Sequence, residues 1–99
     1  MKFDWDEKKN AANIQKHGFD FADGEELFDG QSPFLVVADE DDNYGEDRWR
    51  GIGVIQGRVV VAAFTDREPD VIRFISLRKA NQQEQRAYEE AIKDELGPH

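Results

Sequence analysis

The sequence contains no cysteine, which excludes both a disulfide framework and a thiolate zinc site. It also has no long apolar run. Nothing approaches the roughly 20 residues of a membrane span, and the opening Met1-Lys2-Phe3-Asp4-Trp5 has no hydrophobic signal region. The expectation is a soluble, cytoplasmic chain with no membrane contact. Proline is scarce, and no repeat or low-complexity linker breaks the chain, so its 99 residues read as one domain over 1–99. A chain of this length buries roughly 65% of its unfolded surface, enough for one sheet and two or three helices. Basic residues are few: 13 Lys and Arg stand against 22 Asp and Glu, a net charge of -9. Affinity for polyanions runs on Lys and Arg facing phosphates, so general nucleic-acid binding is disfavoured.

The charge is uneven. Residues 17–47 hold eleven acids and no Lys or Arg. The rest of the chain holds thirteen bases against eleven acids, a net of +2. A basic patch outside the acidic segment is therefore compatible with the composition. The acidic run 39–47 lacks the ligand spacing, central glycine and terminal Glu of a calcium loop, and reads as a solvated connection. No metal site is expected.

Taken in order, residues 2–5 suggest a short strand with Phe3 and Trp5 on one face, nearer a core role than base stacking. Asp6 is a good N-cap for a helix ending at His17, with Gly18 as its stop. Lys9, Asn13 and Lys16 or His17 form a polar stripe on it. Asp20 caps a second helix over about 21–29, which Gly24 weakens. Residues 34–38 and 48–56 read as strands. Gln56-Gly57 centres a hairpin whose second arm is 59–65. Val71–Ala80 reads as an inner strand running into the last helix, with Phe74 and Ile75 among its most buried residues. By strict alternation Val71, Arg73, Ile75 and Leu77 share one face, and Ile72, Phe74, Ser76 and Arg78 the other. Asn81 and Glu84 make a capping box for the last helix, whose apolar stripe is Ala87, Tyr88, Ala91 and Ile92. The fold class is α+β: an antiparallel meander packed against two N-terminal helices and one C-terminal helix.

Three ordered motifs carry a family resemblance. They are Trp5-Asp6-x-x-Lys9-x-x-x-Asn13-x-x-Lys16-His17-Gly18 followed by Phe21, then Glu46-x-Arg48 with Ile52-Gly53, then Arg73-x-Ile75-Ser76-x-Arg78-Lys79-Ala80. Together they resemble the BrnT toxins of bacterial type II toxin–antitoxin systems, over almost the whole chain. The resemblance implies a RelE-like fold, ribonuclease activity on RNA, and inhibition by a DNA-binding antitoxin encoded alongside, BrnA-like and of the ribbon-helix-helix type. DNA is then contacted only through the antitoxin. The strongly acidic composition departs from such toxins, which are usually basic or near neutral.

The residues support metal-independent cleavage with no cofactor. That reaction needs a base for the 2′-OH, cations for the charge on the five-coordinate phosphate, and an acid for the leaving 5′-oxygen. His17 titrates in the right range, and a helix C-terminus is expected to favour its charged form. Glu46 is the alternative base. Arg48 and Arg78 offer bidentate contacts to phosphate. Lys9, Lys16, Arg73 and Ser76 complete the substrate-binding set. Each also has a plain structural reading: His17 as a helix cap, Glu46 and Arg48 as a pair along a strand, Arg73 as a partner for an acid. A site built from His17, Arg48 and Arg78 requires them to surround one concavity about 10 Å or less across. The competing function is an acidic interaction module, weak or inactive in catalysis, that holds a basic protein partner.

Overall fold

The structure is a computed structural model, and it describes residues 1–39 and 48–96. The acidic connection expected over 39–47, Glu46 included, lies outside the described residues apart from Asp39. The elements are β1 (Lys2–Asp4), α1 (Glu7–His17), a 3-10 helix (Phe21–Phe28), β2 (Leu35–Ala38), β3 (Arg48–Ile55), β4 (Arg58–Arg67), β5 (Val71–Lys79) and α2 (Gln82–Leu96). Among the described residues no helix is long and apolar enough to cross a membrane.

Local chemistry sets the element ends. Asp6 accepts from the Lys8 and Lys9 amides at the start of α1, and Gly18 closes it at φ 78, where a side chain would be strained. Asn81 Oδ1 accepts from the Glu84 amide while Glu84 Oε1 accepts from the Asn81 amide, the capping box expected from the sequence. Gln56 and Gly57 both have positive φ, as a tight hairpin between β3 and β4 demands.

The five strands form one sheet in the order β1-β5-β4-β3-β2. The hairpins from β2 to β5 are antiparallel, as expected. The first strand departs from that scheme: β1 adds to β5 in parallel, so the sheet is mixed. The second helix departs too, because residues 21–28 wind as a 3-10 helix. Gly24 lies behind this tight approach. A Cβ there would stand 2.7 Å from the Phe74 ring, so the glycine serves close packing against the sheet.

One face of the sheet, covered by the 3-10 helix, is the core. Phe74 is its centre, 1% exposed and in ring contact with Phe3, Trp5, Phe21 and Phe28. Truncating such a residue to Ala costs about 3–5 kcal/mol. Phe3 and Trp5 pack against this cluster, in line with the core role expected for them. α1 flanks the edge of β5 beyond the short β1. There Asn13 substitutes for a strand: its Nδ2 donates to the Leu77 carbonyl and its Oδ1 accepts from the Leu77 amide, with a further bond to the Phe19 carbonyl. α2 lies over the opposite face, where the buried Tyr88 hydroxyl donates to the Pro33 carbonyl at 2.6 Å.

A β-bulge changes the faces of β5. Ala63 pairs with Ser76 but Phe64 pairs with Phe74, so Ile75 is an extra residue. Alternation resets there. Leu77 joins Ile72 and Phe74 in the core, and Ile75 is half-buried instead of deeply buried. Arg73 and Arg78, an odd spacing apart, consequently share the other face.

Candidate active site

Residues directly opposite each other in a ladder share a face. The register therefore gives rows across the non-core side. Asp4, Arg73, Thr65 and Arg48 form one row, over β1, β5, β4 and β3. Ser76, Ala63, Arg50 and Val37 form the next. Arg78, Val61, Ile52 and Leu35 form the third. Arg48, Arg73, Ser76 and Arg78, all expected in the site, thus stand on one face, separated by small or hydroxylated residues of β4. Arg48 and Arg78 are two strands and four β4 positions apart, on the order of 16 Å between Cα atoms at standard strand geometry. That spacing suits neighbouring phosphates better than a single one.

Arg73 and Arg78 are each held by an acid among the described residues. Arg73 Nη1 donates to Asp4 Oδ2 at 2.7 Å, an exposed pair across the β1–β5 ladder. Arg78 donates from Nη1 and Nη2 to the two oxygens of Glu84 at 2.8 and 2.9 Å, a bidentate clamp between β5 and α2. The guanidinium hydrogen bonds hold the Glu84 carboxyl well below its ordinary range, at about 2, with Arg50 adding a smaller Coulombic push in the same direction. From the sequence Glu84 is legible only as a cap. Its second role depends on the chain folding α2 back over β5.

The α1 residues divide. Lys9 and Lys16 are exposed on the helix surface. Asn13 is buried and bonded to backbone, so the polar stripe of α1 is partly a structural device. His17 is half-buried at the C-terminus of α1. Its pKa is lowered, by desolvation first and then by the charges of Lys16 and Arg78. The expectation of a favoured charged form is thereby corrected, since two neighbouring cations and lost hydration outweigh the helix C-terminus. The influence of Arg78 also places His17 within electrostatic reach of the third row.

Two residues on this face were not singled out from sequence. Arg50 is exposed between the rows of Arg48 and Arg78. Thr65 is buried between Arg73 and Arg48, and its Oγ1 has no hydrogen-bond partner among the described residues. Alternation along β3 could have found Arg50, since it lies two residues from Arg48. Nothing in the sequence distinguishes Thr65. Beside the third row a cavity of about 320 Å³ opens between α2 and the sheet, with Arg50, Ile52, Val61, Glu84, Ala87 and Tyr88 among its walls. Among the described residues no cluster of His, Asp and Glu side chains is arranged to hold a metal ion.

A family model described as the ribonuclease toxin BrnT of type II toxin–antitoxin systems matches residues 5–84. Among solved structures, the Brucella abortus ribonuclease toxin BrnT is similar: 30% sequence identity and a TM-score of 0.61, over 83% of this chain and 99% of that one. A comparison with curated proteins gave no match.

Proposed function

The chain belongs to the BrnT family of ribonuclease toxins of type II toxin–antitoxin systems, and on that premise we propose that it is an RNA endonuclease that cleaves without a metal ion. The observation that carries this reading is the register that gathers Arg48, Arg73, Ser76 and Arg78 on one sheet face. RNA phosphates lie along these rows, where the guanidiniums offer paired donors to phosphate oxygens. Lys9 and Lys16 at the exposed surface of α1 add charge for the flanking strand.

Neutral His17 takes the proton of a 2′-OH. The 2′-oxygen then bonds to the adjacent phosphorus as the bond to the 5′-oxygen breaks, and the imidazolium returns the proton to that leaving oxygen. Arg78, within electrostatic reach of His17, stabilises the charge on the five-coordinate phosphate, and Arg48 and Arg73 hold neighbouring phosphates. A lowered His17 pKa suits the base role, because more of the ring is neutral near pH 7. Glu46 is the alternative base. An antitoxin, BrnA-like and of the ribbon-helix-helix type, neutralises the toxin and supplies the only contact with DNA. The fold would then be grouped with RelE-like toxins, and the site of action would be the cytoplasm.

The test is incubation of the purified protein with total RNA in excess chelator. Cleavage is expected, with a loss on the order of 10²-fold for Arg78→Ala and smaller losses for Arg48→Ala and Arg73→Ala. The rate should rise with pH through an inflection below 6.5, and His17→Ala should abolish that limb. An inflection that survives in His17→Ala transfers the base role to Glu46. No cleavage by the unaltered protein, or equal cleavage by the arginine variants, overturns the proposal.

A further inference from the structure

The cavity between α2 and the sheet borders the arginine rows but is chemically unlike them. Its floor is aliphatic, from Ile52 and Val61. One wall is the Tyr88 ring, buried and fixed by its hydroxyl bond to Pro33. The mouth holds one guanidinium, Arg50, and one carboxylate, Glu84. At about 320 Å³ it is at the low end of small-molecule sites, which run from about 300 to 1,000 Å³. It suits one ring system better than a length of helix.

We propose that this cavity is a base subsite, taking one unstacked nucleobase of the RNA whose phosphates lie on the adjacent arginines. This rests on the ribonuclease reading and adds the element of sequence selection to it. The physical fit has three parts. A nucleobase has apolar faces and polar edges, and the cavity has apolar walls and a polar mouth. Single-stranded RNA is read by splaying a base onto an aromatic or guanidinium plane and bonding its edge. The floor also includes Val61, the cross-strand partner of Arg78, so the cavity adjoins a row that carries a phosphate-binding arginine. Tethering of base to phosphate through one ribose demands such closeness. Arg50 selects among the bases. It is exposed, and a guanidinium donates two parallel hydrogen bonds to O6 and N7 of guanine, the commonest specific contact an arginine makes to a base. Glu84 has both oxygens engaged by Arg78, so it holds the wall and the neighbouring arginine in place.

The experiment maps cleavage sites on a random-sequence single-stranded RNA by end sequencing. It compares the unaltered protein with Arg50→Ala and with Ala87→Phe, which fills the cavity from an exposed helix position. The unaltered protein is expected to enrich guanine at one fixed position beside the cut. Each variant should lower that enrichment about tenfold or more while still cutting, because a bidentate base contact and a stacked base each carry that order of discrimination. Matching far-ultraviolet dichroism and thermal melts establish that the variants fold. If Ala87→Phe does not fold, Arg50→Ala alone decides. Variants that cut with the unaltered profile overturn the inference and leave the ribonuclease reading standing. A uniform fall in cutting at all sites for Arg50→Ala assigns it to phosphate and also overturns the inference. Ala87→Phe that keeps the profile but loses co-purifying antitoxin makes the cavity a protein-docking site, which overturns the inference as well. Failure of the unaltered protein to cut any RNA removes the ribonuclease reading, and this inference with it.

Discussion

At the scale of single residues, Thr65 and Glu84 make separable contributions to stability. Thr65 is 3% exposed and its hydroxyl has no hydrogen-bond partner among the described residues, which costs on the order of 1–3 kcal/mol. Valine has the same shape without the hydroxyl. Thr65→Val is therefore expected to raise the melting temperature, by roughly 4–8 °C for about 1 kcal/mol in a domain of this size. It should leave RNA cleavage unchanged, because the buried hydroxyl is closed to substrate. A less stable variant would show that the hydroxyl is satisfied in the folded protein. Glu84 gives a pH signature. Its carboxyl is held at about 2 in the folded chain against an ordinary 4.5, chiefly by the Arg78 hydrogen bonds. A lowered pKa means that the charged form is the one favoured by folding. The contribution is complete above about 4.5 and is lost as pH falls toward 2. The gap in melting temperature between the unaltered protein and Glu84→Gln should be widest near neutrality and close across that acid window. A gap of equal size at pH 3 and pH 7 would remove the ion pair as its cause.

At the scale of elements, the extra residue in β5 decides which side chains meet. In a regular strand Arg73 and Arg78 would point to opposite faces, and Leu77 would leave the core. Deleting Ile75 removes the bulge yet keeps the two arginines on one face, because an even spacing replaces an odd one plus a bulge. That deletion is expected to leave a cooperatively folding protein with a modest loss of melting temperature. Deleting Ala62 from the regular part of β4 should abolish the transition, since half the strand would turn inside out. Equal damage from both deletions would mean that the bulge does not set the register. This is also where the sequence stopped being legible. Helix ends were readable, because Asp6, Gly18, Asn81 and Glu84 act on backbone groups within three or four residues. The β3–β4 hairpin was readable from Gln56-Gly57 for the same reason. Long-range facts were not. The parallel docking of β1 on β5, the bulge at Ile75 and the 3-10 winding against Phe74 are fixed by contacts between segments far apart in the chain. The arginines of the candidate site were identifiable as residue types within motifs. Their common face depended on the bulge, which alternation alone predicts wrongly. Asn13 reads as surface in the sequence and is a substitute strand edge in the fold, because its partner Leu77 lies 64 residues away.

At the scale of the whole molecule, charge is unevenly distributed about the sheet, although Asp4 and Glu84 pair with two of the arginines on their own face. The acids of the 3-10 segment, Asp23 and Glu25 among them, are exposed on the side that covers the core face. Arg48, Arg50, Arg73 and Arg78 belong to the opposite face. A net charge of -9 is therefore a poor guide to what a strand of RNA meets on that face. Screening makes the distinction measurable. At 0.1 M salt the Debye length is about 10 Å, so acids a sheet and a helix layer away are largely screened while contacting guanidiniums are not. Each phosphate neutralised on single-stranded nucleic acid contributes about -0.7 to the slope of log affinity against log salt. Binding of a short single-stranded RNA with 2′-deoxy substitution, which cannot be cut, to the protein should therefore weaken with salt, with a slope of roughly -1.4 to -2.8 for two to four contacts. Arg48→Ala should lower the magnitude by about 0.7. The charge reversals Asp23→Lys and Glu25→Lys, made together, should change the net charge by four without changing the slope beyond error, because they touch no phosphate. If those reversals steepen the slope as much as Arg48→Ala flattens it, the RNA contacts the acidic side, and the arginine face is not where it binds.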